Sequence, residues 1–290
     1  MRTKKPVQRR RIKKSFLSIF GKKLTELLFI KSLYCLNNLL PYDEINFYTL
    51  AMIAQPFVMF SGSHLVTLLI IISIAFLLPA IIKNNTYDNK IIIAKIIGIS
   101  AILFELIKPF IWHYSMDFPW ASLIPIHMCN LSTIFIGIFL ITEKRIFYEV
   151  SFFWGIGGGI NALLTPDIPK DFPDPQFILF FIGHGLLIIA IVYASLSLNN
   201  RPTLQSVRNG IYFSLAVLPV IYAINKIVGP PANYWYLGTK PVGESLLDFF
   251  PEPPLHIPVL IILGIIVFYL IYSPYWIYDK FKEQDAQSAE

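Results

Sequence analysis

The stretch Ser63–Ile82, SHLVTLLIIISIAFLLPAII, decides the fold. It contains no Asp, Glu, Lys or Arg, and about 20 consecutive apolar residues are what an α-helix needs to cross a bilayer. Leucine and isoleucine fill it without the strict polar/apolar alternation that is typical of a half-buried β-strand. The stretch therefore predicts a membrane-spanning helix.

Six further apolar runs follow, separated by short polar or Pro-rich segments. The chain is 55% hydrophobic and 14% charged, whereas about 25% of a soluble domain is charged. Its mean hydropathy is +0.60. We therefore expect an all-α integral membrane protein, a bundle of about seven transmembrane helices within residues 63–277. The predicted spans are Ser63–Ile82, Ile91–Ile111, Ser122–Thr142, Tyr148–Leu164, Phe177–Leu198, Val207–Val228 and Leu255–Ile277.

A basic leader, residues 1–62, precedes the predicted membrane domain, and a polar tail, residues 278–290, follows it. The first 31 residues contain eleven Lys or Arg and a single acid, Glu26. Leu24–Leu40 fits an interfacial amphipathic helix, and Ile45–Phe60 is a candidate for an extra crossing. Since no nucleic-acid-binding motif accompanies the basic residues, we expect anionic lipid headgroups, and not nucleic acid, as partners of the leader.

Charge in the connections predicts the orientation in a cell membrane. Short loops rich in Lys and Arg remain in the cytoplasm, and these residues gather after the first, third, fifth and seventh spans. We therefore expect a cytoplasmic C-terminus and an outward-facing start of the first span. The basic leader also predicts a cytoplasmic position, which agrees only if a segment between about residues 24 and 62 enters the membrane.

Polar residues inside the predicted spans concentrate toward their outer ends, while the inner halves are almost purely apolar. Such residues are costly in a bilayer and usually face the bundle interior or a wet cavity. At about 1.5 Å rise per residue, Cys129 and His184 both lie roughly 10 Å below the outer boundary. We therefore expect an outward-opening polar cavity. Its candidate residues are Glu105, His127, Cys129, Asn130, Asn161 and His184.

A cysteine beside a histidine is a combination used for nucleophilic catalysis. His127 and Cys129 are two residues apart, so on a regular helix they point about 200° away from each other. A pair of Cys129 with His184 across two helices is the more plausible arrangement, unless Pro125 distorts the first turn. The structural alternative is a cysteine that acts as a small buried hydrophobe and a histidine that bridges helices. Cys35 and Cys129 do not form a disulfide framework.

Two other patterns carry less chemistry. His127, Cys129 and His184 lack the paired spacing of zinc ligands, and no cofactor motif is present, so we expect neither a metal nor a cofactor. A glycine-rich stretch resembles a phosphate-binding loop only superficially, because no Lys-Ser/Thr pair follows it. Close helix packing is the better interpretation of these glycines: Gly155, Gly157, Gly158 and Gly159.

Four longer strings occur in a specific order: LIPIHMCNLSTIF (Leu123–Phe135), GGINALLTPDIP (Gly158–Pro169), FFIGHG (Phe180–Gly185) and NYWYLGTKPVGESLLDFFPEPP (Asn233–Pro254). Together they resemble the YwaF-type family of bacterial integral membrane proteins, which is similar to the eukaryotic transmembrane-protein-164 family. The resemblance covers about residues 60–277 and implies a seven-helix core. The eukaryotic relatives are regarded as phospholipid acyltransferases with a cysteine in the HxC string. By that motif the nucleophile would be Cys129, with His127 and His184 as the matching histidines.

The leading hypothesis is a membrane-embedded lipid acyltransferase or related acyl hydrolase that acts on membrane phospholipids. Cys129 would attack an ester, His184 would serve as base and acid, and Asn130 or Asn161 would stabilise the oxyanion. One alternative is a transporter or lipid-handling carrier whose polar residues, including Glu105, line the substrate path. A non-catalytic membrane scaffold is the third, and the sequence predicts no particular oligomeric state.

The longest outward connection lies over the expected cavity. Its Asn233, Lys240 and Asp248 are candidates for binding a lipid headgroup, because a lysine suits a phosphate. Tyr234, Trp235 and Tyr236 are expected at the level of the headgroups, where amphipathic rings are favoured. An aromatic interface anchor without any ligand remains an equal interpretation of this segment.

Overall fold

The computed structural model describes residues 54–240 and 249–288, and it is all-helical there. Four helices are long and apolar enough to cross a membrane, namely Gly62–Ile81, Pro175–Leu196, Leu204–Val228 and His256–Asp285. They indicate a multi-pass membrane protein and confirm the predicted all-α class. In chain order the helices are α1 (Gly62–Ile81), α2 (Tyr87–Met116), α3 (Met128–Thr142), α4 (Arg145–Trp154), α5 (Ile160–Leu164), α6 (Pro175–Leu196), α7 (Leu204–Val228) and α8 (His256–Ser288).

Helices α4 and α5 form one continuous unit. They are joined by the π-helical turn Gly155–Gly159, and the backbone stays right-handed helical from Trp154 to Ile160 at both junctions. With this unit counted once, the described residues contain seven helical segments. Each of them overlaps one of the seven predicted apolar runs.

Helix boundaries differ most from the prediction in two places. Helix α3 begins at Met128, not at Ser122, because residues 119–127 form a loop with a 3-10 turn at Trp120–Ser122. The last helix continues past the predicted end at Ile277 to Ser288. Apolar periodicity locates a helix well, but it cannot show how far polar flanking residues continue it or leave it.

The segment just before α1 is not helical and lies against the connection between α5 and α6. The Phe57 N–H donates to the carbonyl oxygen of Pro169 at 3.1 Å, and the Asp171 N–H donates to that of Gln55 at 2.8 Å. Of the candidate crossing segment Ile45–Phe60, residues 45–53 lie outside the described residues, as does most of the basic leader.

His64 fixes the start of α1 to the end of α5. Its ring is fully buried; Nδ1 accepts from the Phe60 N–H at 3.0 Å, and Nε2 donates to the Leu163 carbonyl oxygen at 2.8 Å. The Ser61 and Ser63 hydroxyls both donate to the carboxylate of Asp171. These contacts join the start of α1 to the end of α5 and to the loop that precedes α6.

Helices α2 and α3 approach each other most closely where two glycines meet. A methyl group added at Gly98 would lie 2.7 Å from the carbonyl oxygen of Gly137, and one added at Gly137 would lie 2.8 Å from that of Gly98. Small residues at a helix crossing let two backbones pack closely in a membrane. The buried face of α2 is accordingly narrow and formed by Ala94, Gly98, Ala101, Glu105 and Pro109.

The glycine-rich stretch has the same purpose in the α4–α5 unit, which confirms the packing interpretation. Methyl groups added at Gly155 and Gly159 would meet side chains of α6 at 2.3 and 3.1 Å, and one at Gly157 would meet α8 at 3.3 Å. Gly158 instead faces α3, where an added methyl would lie 3.5 Å from the Sγ of Cys129. Three neighbouring helices therefore pack closely on this unit.

We predict that Gly137→Ala destabilises the protein, because the added methyl displaces the α2 backbone. Overpacking of this kind costs about 1–3 kcal/mol, and the thermal unfolding of detergent-solubilised protein would measure it. Gly264→Ala is the matched control, since nothing lies within 4 Å of that position in α8 and alanine favours a helix. Equal or higher melting temperatures for both variants would contradict the close α2–α3 contact.

Candidate functional site

A buried polar cluster joins α2 to α3 two turns beyond the glycine contact. Glu105 is 1% exposed; it accepts from the Asn130 amide at 2.6 Å and from the Lys108 ammonium at 2.8 Å. Gly183 of α6 closes the cluster, because a methyl there would lie 3.4 Å from both charged groups. Two predicted site residues, Glu105 and Asn130, are therefore in contact.

His127 lies outside the regular helix. It is the N-cap residue of α3, with φ −58° and ψ 151°, and its side chain makes no capping hydrogen bond. The angle of about 200° expected between the His127 and Cys129 side chains therefore does not apply, because it assumes that both residues lie in a regular helix. The His127 ring packs instead against the connection between α7 and α8, the predicted outward loop and from here on called the outer connection. It lies 4.8 Å from the ring of Tyr234 and 6.4 Å from that of Tyr236.

Cys129 is the second residue of α3 and is half-buried. Its thiol is free, lies against Gly158 and makes no hydrogen bond to the described residues. The backbone N–H groups of Met128, Cys129 and Asn130 also have no acceptor there, whereas the Leu131 N–H donates to His127. The thiol thus stands at the uncapped N-terminal turn of a 15-residue helix.

His184 faces the same α4–α5 unit from α6. Leu187 and Ile188, three and four residues further, both contact Gly159, and residues at this spacing share a helix face. The His184 Nδ1 donates to the Phe180 carbonyl oxygen at 2.9 Å, because a carbonyl can only accept. Its Nε2 is left as an acceptor, and no hydrogen bond joins it to Cys129 in the described part of the chain.

Asn161 is exposed near the C-terminal end of the α4–α5 unit. It lies three residues after Gly158, which faces α3, and four residues after Gly157, which faces α8. Among the described residues, no group of three or more His, Cys, Asp or Glu side chains is arranged to hold a metal ion.

The outer connection between α7 and α8 inserts aromatic side chains into the bundle. The Trp235 indole donates to the carbonyl oxygen of Ile126 at 2.9 Å, and its ring lies 5.2 Å from that of the buried Trp154. The Tyr234 hydroxyl donates to Ala121 at 2.8 Å and accepts from the Ile124 N–H at 3.0 Å. The connection is therefore packed into the bundle and holds the loop that precedes α3.

Two further side chains fix this connection, and hydropathy gave no reason to assign them this role. The Asn225 amide donates to the Tyr234 carbonyl oxygen at 2.9 Å and accepts from the Tyr234 N–H at 2.8 Å. The His256 Nε2 donates to the Tyr236 carbonyl oxygen at 2.8 Å, while its buried Nδ1 has no hydrogen-bond partner among the described residues. In the sequence, only their positions at the ends of the apolar runs of α7 and α8 could have indicated this role.

The structure describes two of the three candidate headgroup residues, Asn233 and Lys240. Asn233 closes its own loop, donating to Thr239 and accepting from the N–H groups of Gly238 and Thr239. The Lys240 ammonium donates to the carboxylate of Glu252 at 2.9 Å and to the Phe250 carbonyl oxygen at 2.8 Å. Asp248 lies outside the described residues.

A second polar cluster lies at the end of the bundle opposite to Cys129. Glu149 is 4% exposed and accepts from Arg145, Ser206 and Asn209 at 3.0, 2.8 and 2.7 Å. Buried polar groups therefore occur at both ends of the bundle, and Glu149 was not among the predicted site residues. The i,i+4 spacing of Arg145 and Glu149 was the signal that could have indicated this cluster.

We predict that Glu105→Gln destabilises the protein by about 3 kcal/mol, because it leaves the Lys108 ammonium without a buried counter-charge. Adding Lys108→Met should recover most of the lost melting temperature. Glu283→Gln is the matched control: its i,i+3 pair with Lys280 is exposed, and exposed pairs contribute less than about 1 kcal/mol. Similar effects of Glu105→Gln and Glu283→Gln would contradict a structural role for the buried pair.

Comparison with known proteins adds family membership. A curated "Uncharacterized protein" of Treponema pallidum (strain Nichols) is 26% identical over 157 residues, which are 53% of this chain and 64% of that relative. No solved structure matches the chain significantly. Residues 59–272 match the TMEM164 family, the family indicated by the strings around Cys129 and in the outer connection. The chain belongs to the TMEM164 family.

Proposed function

We propose that this protein is a membrane-embedded lipid acyltransferase or related acyl hydrolase in which Cys129 is the nucleophile. The TMEM164 family is associated with lipid acyltransferase activity. The observation that carries the assignment is the position of the free Cys129 thiol in the uncapped first turn of α3. Its substrates would be membrane phospholipids.

The first turn of α3 suits acyl chemistry for an electrostatic reason. Unpaired N–H groups and the helix dipole stabilise negative charge at a helix N-terminus. The N–H groups of Cys129 and Asn130 could therefore bind the oxyanion of a tetrahedral intermediate, a task often performed by backbone N–H groups. The Asn130 side chain would hold this turn in place through Glu105, and the exposed Asn161 would lie on the facing helix.

Histidine would accept the thiol proton. With Nδ1 held by Phe180, the Nε2 of His184 has a free lone pair, which is the tautomer that a general base needs. His127 is the second candidate, because its ring nitrogens make no hydrogen bond to the described residues and it lies two residues from Cys129. Both assignments agree with the motif that indicated these residues.

The outer connection would receive the headgroup. Lys240 lies there with a side chain that is 15% exposed, and its ammonium pairs with the carboxylate of Glu252, which is 85% exposed. A lipid phosphate would replace the Glu252 carboxylate as the partner of Lys240. Asn233 would support this role by fixing the shape of the loop that leads to Lys240, and Asp248 remains a candidate from the sequence.

We also propose that all seven helical segments cross the membrane, with the C-terminus in the cytoplasm. Helix α2 is 30 residues long, about 45 Å at helical rise, and its Glu105 and Lys108 neutralise each other inside the bundle. Helices α1, α7 and α8 expose mostly apolar side chains, with Ile81 and Ile227 at 76% and 84%. Extended apolar faces of this kind are typical of contact with lipid.

We predict that Cys129→Ala abolishes acyl transfer and that His184→Gln slows it by about 10²-fold or more. Release of fatty acid and lysophospholipid from a labelled phospholipid, measured with protein in liposomes, would test both changes. Cys35→Ala is the matched control, since it removes the chain's other cysteine and lies outside the family match. Full activity of Cys129→Ala would overturn the proposed function.

The orientation has its own test. Asp117 and Glu143 are exposed residues at the C-caps of α2 and α3, which lie at opposite ends of antiparallel helices. A membrane-impermeant maleimide should label Asp117→Cys in intact cells, whereas Glu143→Cys should react only after permeabilisation. Both proteins would carry Cys35→Ser and Cys129→Ser. Labelling in the reverse pattern would contradict the proposed orientation.

A further inference from the structure

The polar groups around the mouth of the Cys129 site fall into two classes. Most of them are hydrogen-bonded within the protein, including Asn225, Asn233, Tyr234 and Trp235. The Cys129 thiol, the His127 imidazole and the Tyr236 hydroxyl make no hydrogen bond to the described residues, and the exposed side chains of Asn161 and Asp167 also make none. The first three lie in or beside the first turn of α3. Polar groups in a folded protein are usually paired with protein or water, so these three side chains can act on a ligand.

The backbone at Tyr236 is held in a conformation that is costly for such a residue. Trp235 and Tyr236 have φ values of 59° and 54°, in the left-handed region, which is sterically unfavourable for an L-residue with a Cβ atom. The Trp235 indole bond to Ile126 and the His256 bond to the Tyr236 carbonyl oxygen maintain it. Strain of this kind persists only where the surrounding structure enforces it, often at functional sites. Here it directs the Tyr236 ring toward the start of α3, next to His127.

The Tyr236 phenol is partly exposed and protonated. Burial of the Tyr236 side chain, which is 37% exposed, raises its pKa above the usual 10.0, and the negative charge of Asp167 raises it further. The phenol therefore remains protonated at neutral pH and can donate a hydrogen bond. Tyr236 belongs to the outer connection, the segment proposed to receive the headgroup, and its ring lies 6.4 Å from that of His127, two residues before Cys129.

We propose that the Tyr236 hydroxyl contacts the ester oxygen on the glycerol side of the substrate and protonates it as the acyl group moves to Cys129. This inference rests on the proposed attack by Cys129. It adds a catalytic residue from the outer connection and assigns it to the leaving group. The carbonyl oxygen is left to the N–H groups of α3.

The step balances without any further reactant. Histidine takes the thiol proton as the bond between Sγ and the carbonyl carbon forms, and the carbonyl π electrons move to oxygen. When the carbonyl re-forms, the bond to the glycerol oxygen breaks and that oxygen takes the phenol proton. The proton held by histidine then returns to Tyr236. The products are a thioester on Cys129 and a lysophospholipid.

Two esters with the same acyl chain test the proposal. Glycerol alkoxide is a poor leaving group that needs protonation, whereas p-nitrophenolate leaves without it. We expect Tyr236→Phe to slow acylation of Cys129 by about 10²-fold with the phospholipid, and by less than about threefold with the p-nitrophenyl ester. First-turnover product release, together with mass spectrometry of the acylated protein in liposomes, would measure both rates.

Three other variants separate the explanations. Tyr212 lies on α7 and is 67% exposed. Tyr212→Phe should therefore react like the unsubstituted protein with both esters. Tyr234→Phe should lower the melting temperature, because its hydroxyl has two partners, whereas Tyr236→Phe should not. Equal slowing of both esters by Tyr236→Phe, or no slowing with the phospholipid, would overturn the leaving-group role. An active Cys129→Ala would instead overturn the proposed function itself.

Discussion

The contact between Gly98 and Gly137 is the constraint on which the rest of the bundle depends. It sets the separation of α2 and α3, and the antiparallel direction of the two helices fixes what meets on either side. Seven residues beyond Gly98 is Glu105, and seven residues before Gly137 is Asn130, which is why these two side chains are hydrogen-bonded. The close backbone crossing thus determines where along α2 the first turn of α3 lies, and with it the position of Cys129.

On the other side of the thiol, a glycine of the α4–α5 unit again allows close packing. Any side chain larger than hydrogen at Gly158 would approach the Sγ of Cys129, and the π-helical turn places this glycine toward α3 while Gly155 and Gly159 face α6. Turns of this type often occur at functional sites because they redirect part of a helix without breaking it. In this bundle the turn brings α3 and α6, and therefore Cys129 and His184, to the same central helix.

Much of the fold could be predicted from the sequence, because hydropathy over about 20 residues reports directly on helices in a membrane. What hydropathy could not show is where backbone leaves the helix. His127 was expected on the helix of Cys129, but it is the N-cap residue, since the loop containing Pro119 and Pro125 delays the start of α3 to Met128. Glu149 was missed for a related reason: a single carboxylate in an apolar run is buried only if other helices supply its partners.

The candidate site shows the same limit more sharply. A motif indicated Cys129, His127 and His184, but the outer connection reaches them through tertiary contacts of residues about 110 positions away, such as Tyr234 with Ile124. Two consecutive aromatic residues with left-handed backbone angles cannot be inferred from composition. The conformational cost of these angles is offset by hydrogen bonds that join this segment to Asn225, His256 and Ile126. Those bonds hold Tyr236 beside His127 at the start of α3. A thiol, an imidazole and a phenol without hydrogen-bond partners among the described residues therefore lie on neighbouring segments, where the proposed substrate would pair with them.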